Sequence, residues 1–136
     1  MIYIKVTLVA HQNSKDASVK TVDKAAQVLD FEQTVRIVYQ DDAGGINTLD
    51  VGTNYIHMQR DHEWITQMIF TKGKGSSAKV ISQEGELRFN INVVKLEIDS
   101  QRLYVKYQLL QDNALIDTHT YFVEWRKEEE AWQEIH

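Results

Sequence analysis

Apolar and polar side chains alternate along residues 85–109, GELRFNINVVKLEIDSQRLYVKYQL. Successive side chains of a strand point to opposite faces, so this rhythm marks a sheet with one buried and one wetter face. Leu87, Phe89, Ile91 and Val93 share one face against Arg88, Asn90 and Asn92. Further on, Leu103, Val105, Tyr107 and Leu109 oppose Arg102, Tyr104, Lys106 and Gln108. Asp99 and Ser100 lie between the two runs, and both residue types bond their own backbone in turns, so the pair reads as antiparallel.

The same rhythm recurs along the chain. Ile2, Ile4, Val6 and Leu8 alternate with Tyr3, Lys5 and Thr7. Val35, Ile37 and Tyr39 lead into DDAGG, a hairpin connection rich in Asp and Gly, from which Ile46, Leu49 and Val51 begin the return. Tyr55 to Arg60 and Trp64 to Phe70 flank the polar turn DHE, and KGKGSS loops ahead of Lys79 to Ser82. The last clear strand is Thr118 to Trp125, with Tyr121, Val123 and Trp125 on one side. About eight to ten strands at short spacing predict an all-β meander, folded as a sandwich or closed into a barrel. Proline is absent, which suits strands whose amides are nearly all needed for ladders, and a closed barrel uses them all. The expected fold is therefore an antiparallel up-and-down β-barrel over residues 1–126, followed by a tail over 127–136.

Two segments admit a second reading. In residues 17–30, Val19, Val22, Ala26 and Leu29 recur at offsets that suit a helix face, whereas Val22, Lys24, Ala26 and Val28 suit a strand. The tail, with Trp125 and Trp132 seven apart, reads as a final helical turn or two or as a frayed end.

Composition narrows the functions. A chain of 136 residues is the length of one domain, and a domain of that size buries roughly two-thirds of the surface its unfolded chain exposes. With no cysteine, disulfides, zinc thiolates and cysteine nucleophiles are excluded. A net charge of −5 argues against nucleic acid, whose phosphates require clustered Lys and Arg. No apolar run approaches the roughly 18 residues of a membrane helix, and Lys5 interrupts the only stretch resembling a secretory signal. The expected setting is the cytoplasm, with a small-molecule or protein partner and the oligomeric state left open.

The order of segments resembles a known family. VRIVYQD, a Gly-containing turn with INTLDV, then YIHMQR, MIFTKG, EGELRFNI and LYVKYQL are similar to the YwiB-like β-barrel proteins of Gram-positive bacteria. The residues that carry the likeness are Tyr39 to Asp41, Arg60, Met68 with Phe70 and Gly73, Gly85 with Leu87, and Tyr107 with Leu109. The sequence departs from the pattern after Arg60, where Asp61 and His62 stand near a position usually held by Gly. The resemblance implies a lipocalin-like (calycin) barrel and an extended segment at residues 21–30. It implies no activity, since the family has none established and a fold does not carry a function.

No motif implies catalysis, a metal or a cofactor. The histidines His11, His57, His62, His119 and His136 lack the spacing that brings three ligands together, and His57 with His119 on neighbouring strands is the one pairing to examine. KGKGSSAK lacks the Walker spacing and is flanked by strands instead of a strand and a helix. Ser76 and Ser77 have no adjacent base, and the carboxylates Asp41 and Asp42 or Glu128 to Glu130 lie in a turn or the tail. The expectation is a protein that is not an enzyme.

A barrel of about eight strands is filled by side chains or holds one small ligand. Tyr39, Phe70, Phe89, Tyr107 and Tyr121 are inward candidates that serve equally as core or as ligand wall. Arg60, if inward, requires an acidic partner at the rim or an anionic ligand. These six residues are the candidate site for a small, largely apolar ligand. The rival expectation is a packed structural or protein-interaction module, with Trp64, Trp125 or Trp132 marking a contact patch.

Overall fold

The structure is a computed structural model that describes residues 2–15, 17–73 and 75–127, with side chains from Lys5 onward. Ten strands follow in order: β1 (Ile2–Asn13), β2 (Ser18–Asp30), β3 (Val35–Gln40), β4 (Ile46–Val51) and β5 (Tyr55–Asp61), then β6 (Ile65–Thr71), β7 (Ser77–Ser82), β8 (Gly85–Ile98), β9 (Arg102–Gln111) and β10 (Ala114–Lys127). Each pairs antiparallel with its sequence neighbour, and β1 pairs with β10 to close the barrel, so no edge is left open. No described helix is long and apolar enough to cross a membrane.

Residues 17–30, ambiguous by periodicity, form a strand. Val6 to Leu8 of β1 face Ala26 to Asp23 of β2, so two steps on one strand meet three on the other. This β-bulge changes the side-chain phase of β2: Thr21 is buried on one side of it and Ala26 and Val28 on the other, while Val22 is exposed. Odd positions point inward before the bulge and even ones after it, so the helix-spaced set Val19, Val22, Ala26 and Leu29 does not share a face. Asp23 secures the irregularity, accepting from the amides of Ala25 at 2.9 Å and of Gln40, at the end of β3, at 2.8 Å.

Two further bulges add a residue to β8 between Val93 and Lys95, and one to β10 between Leu115 and Asp117. The inserted residues, Val94 and Ile116, are apolar yet exposed, because a bulged residue has no place on the inner face. The β9–β10 turn uses Asp112 and Asn113, both at positive φ, the geometry of a two-residue hairpin whose twist matches its strands.

The core lies inside. Val6, Leu8, Ile37, Leu49, Ile56, Phe70, Leu103, Val105 and Val123 are all but sealed from solvent. Burying each such side chain contributes roughly 1.5–3 kcal/mol, so this interior dominates the fold's stability. Trp125, expected as an exposed contact residue, is instead 5% exposed and helps to close the end where its amide donates to the Gln101 carbonyl at 3.0 Å. Trp64 does lie on the surface, in the β5–β6 turn. Ser77, read as a loop residue, begins β7, and β10 continues through Lys127, one residue past the expected boundary. The helical or frayed tail, Glu128 to Glu130 and Trp132 lie outside the described residues.

Candidate functional site

One end of the barrel, here the mouth, carries the β1–β2, β3–β4, β5–β6, β7–β8 and β9–β10 turns. Strand parity brings Tyr39, Arg60, Tyr107 and Tyr121 to the inner face toward this end, each on a different strand. Tyr39 is paired with Asn47 on β4, and Asn47 with Arg60 on β5, so these three occupy one level of the wall.

Arg60 points inward and finds its partner within the protein. Its Nε donates to Asp41 Oδ2 at 2.7 Å and its Nη2 to Asp41 Oδ1 at 3.3 Å, a two-point grip across the end of the β3–β4 turn. Asp41 also accepts from Asn47 Nδ2 at 2.9 Å and from the amides of Gly45 at 2.9 Å and Ala43 at 3.2 Å. Burial alone raises this carboxyl's pKa, but hydrogen bonds from Arg60, Asn47 and the Gly45 amide, with the charge of Arg60, outweigh it and hold Asp41 at about 2. Gly45 is needed here for closeness: a Cβ would stand 2.6 Å from the guanidinium carbon of Arg60. The carboxylates of the turn, read from the sequence as ordinary surface charges, thus include the anchor of the only inward arginine of β5.

The tyrosines form a second polar group. The hydroxyls of Tyr39 and Tyr121 share a buried hydrogen bond of 2.5 Å. Burial pushes Tyr39 up to about 12 and Tyr121 well above the ordinary phenol value, so both are neutral at physiological pH. Burial, with the charge of Asp117, likewise raises Tyr107 to about 12. Among the described residues, the Tyr107 hydroxyl has only Met68 Sδ, at 3.7 Å, as an acceptor. Its ring lies between Phe70, with centroids 4.8 Å apart and tilted, and His119, 5.3 Å away and stacked. His119 in turn has Asp117 Oδ2 at 3.4 Å from its Nε2.

A cavity of about 270 Å³ opens among these groups, with Met58, Tyr107 and Tyr121 as its buried lining, Met68 partly buried beside them, and Arg60, His119, Gln12 and Val19 toward solvent. Of the six residues named from the sequence, Arg60, Tyr107 and Tyr121 line it. Tyr39 stands behind Tyr121, and Phe70 is fully buried core beneath Tyr107. Phe89 packs against the core without reaching the cavity. Met58, Val19 and His119 were not named as ligand lining, although Met58 shares the parity of Ile56 and Arg60. Asn47, at an inward position of β4, was a signal of a buried polar cluster; its Oδ1 has no hydrogen-bond partner among the described residues.

His57 and His119, considered as a metal pair, sit on β5 and β10, which are not neighbours in the barrel. His57 instead lies against Tyr55 on the outer wall, the rings tilted with centroids 5.1 Å apart. A larger and more open depression of about 810 Å³ lies on that wall, near Phe31, Tyr55 and Lys72. Its arginine, Arg36, is already paired with Asp50 at 2.7 Å, and the floor is the outside of the sheet.

Closure, strand order and the inward aromatic mouth define a ten-stranded up-and-down barrel with a small cavity at its mouth. The chain belongs to the family described as "Domain of unknown function (DUF1934)", whose model matches residues 4–123. It is similar in structure to the YwiB protein from Bacillus subtilis, as the sequence resemblance implied. The crystal structure of that protein superposes with a TM-score of 0.63 at 15% identity, over 90% of this chain and 92% of that one. At that identity the likeness concerns the fold. No curated protein matches the chain.

Proposed function

We propose that this protein is a lipocalin-like, calycin-type binding barrel that holds one small, largely apolar molecule in its mouth without transforming it. The observation that carries the reading is the lining of the mouth cavity, about 270 Å³ walled by two methionines and two tyrosines, whereas the depression of about 650 Å³ at the opposite end, beside Trp125, is rimmed by turn residues such as Glu32, Gln33, Thr53 and Asp99. An engineered apolar cavity of about 150 Å³ accepts benzene, so a two-ring or short-chain body suits this one. Pockets of this kind combine an apolar wall with a few polar groups, and Tyr107, Tyr121 and Arg60 supply them here. The cytoplasm is its proposed place of work, supported by a sequence without cysteine, whose fold needs no oxidising compartment. The charge of −5 supports a small molecule over nucleic acid or an anionic membrane surface.

A second reading, a protein-interaction module, is favoured by apolar side chains exposed at the same end: Trp64 at 60%, Leu87 at 56% and Leu115 at 56%. Mass spectrometry of gently purified protein, compared under native and denaturing conditions, separates the two. A released small molecule supports the binding barrel. Equal masses, together with a dimer or a captured protein in light scattering and pulldown, favour the module.

A further inference from the structure

We infer that the polar end of the mouth's ligand is an uncharged hydrogen-bond acceptor, such as a ketone, ester or amide carbonyl, and not a carboxylate. The inference rests on the binding-barrel reading above and specifies its chemistry.

An inward arginine is ordinarily an invitation to an anion. Here Arg60 already spends two N–H groups on Asp41, so the charges cancel in contact. A ligand carboxylate would have to displace Asp41, which is also held by Asn47 and Gly45, or remain beside it. Asp117, next to His119, adds a second negative charge near the cavity. The net electrostatic effect of these aspartates on the buried phenols favours their neutral forms: Asp41 acts on Tyr39 and Tyr121, and Asp117 on Tyr107. The same field opposes an incoming anion.

What the cavity lacks is an acceptor for its hydroxyl protons. Tyr107 donates to a thioether, a weak acceptor. Tyr39 and Tyr121 share a single bond, so whichever donates, the other hydroxyl keeps a proton with no partner among the described residues. A buried donor left with a poor acceptor is unfavourable, and a carbonyl oxygen entering with an apolar body satisfies it without bringing charge.

The test is an NMR titration of the full chain with methyl naphthyl ketone, naphthoate and ethylnaphthalene, three probes of one body and different polar ends. The ketone is expected to bind about tenfold more tightly than the hydrocarbon, the worth of one good hydrogen bond, with naphthoate weakest. In the Tyr107→Phe variant the ketone should bind no more tightly than the hydrocarbon does in the same variant. Tyr121→Phe provides a second variant should the first fail to fold, with the ketone preference expected to fall without vanishing, since Tyr107 still donates. Tightest binding by naphthoate, or equal binding by all three, overturns the inference while the apolar pocket stands. Binding by none of them overturns the pocket reading and the inference with it.

Discussion

Arg60 and Asp41, 19 residues apart in sequence, meet in a two-point ion pair 2.7 Å long at its shorter contact, with the Arg60 side chain 29% exposed and that of Asp41 17%. The pair ties the β3–β4 turn to the inner face of β5 and neutralises the one arginine that β5 sends into the mouth. Because Asp41 also accepts from Asn47 and two turn amides, the carboxylate organises the turn as much as it pairs the charge.

The acid limb of stability should report this carboxylate. Asp41 is held at about 2 when folded against an ordinary value of 3.8, so the unfolded chain takes up its proton first as the pH falls. The stabilisation is therefore fully present above the unfolded value and is lost as the pH falls through about 2, an amount on the order of 2 kcal/mol. In urea titrations across this range, the stability gap between wild type and Asp41→Asn should be constant above about pH 5 and shrink steadily below 3.8. A gap independent of pH would mean that the charge of Asp41 contributes nothing.

Gly45 should be coupled to Arg60. Gly45→Ala places a methyl 2.6 Å from the guanidinium, which Asp41 prevents from moving aside. Overpacking of this kind costs about 1–3 kcal/mol. In an Arg60→Ala background the same substitution should cost less than half as much, a coupling read by a double-mutant cycle in chemical denaturation. Equal costs in both backgrounds would remove the steric explanation for glycine at this position.

The two tyrosine hydroxyls should behave as a unit. Tyr39→Phe or Tyr121→Phe alone leaves a buried hydroxyl without its partner and should cost about 1–3 kcal/mol, whereas the double substitution should cost clearly less than the sum. On the alkaline side the phenols' raised values mean that the stability they support is intact below 10 and is lost as the pH rises toward about 12. Ultraviolet titration should accordingly find Tyr39 and Tyr107 still protonated at pH values where an exposed phenol has ionised. Ionisation of both at the ordinary phenol value would contradict their burial.

Much of the fold was legible because β-structure writes itself locally. Alternation over Leu103–Leu109 needs no knowledge of the rest of the chain, and the Asp- and Gly-rich turns mark where each run reverses. The reading was ambiguous over β2, where the helix-spaced Val19, Val22, Ala26 and Leu29 lie on both faces of a strand whose phase a bulge changes. Trp125 was misjudged for a related reason: parity placed it beside Tyr121 and Val123, but whether the barrel end covers it depends on the neighbouring β8–β9 turn.

The site was less legible than the fold. The sequence by itself determined that the chain would build an all-β meander with an apolar face, that Tyr39, Tyr107 and Tyr121 were inward candidates, and that thiol chemistry was absent. Tertiary structure alone decided that Arg60 points inward and is answered by Asp41, that Tyr39 and Tyr121 share a hydrogen bond, and that space remains beside Met58 and Met68. The division has a physical cause. Strand formation and facing follow from a residue and its near neighbours along the chain, whereas ion pairs and cavities depend on distances across the barrel, which are set only when β1 meets β10 and the ring closes.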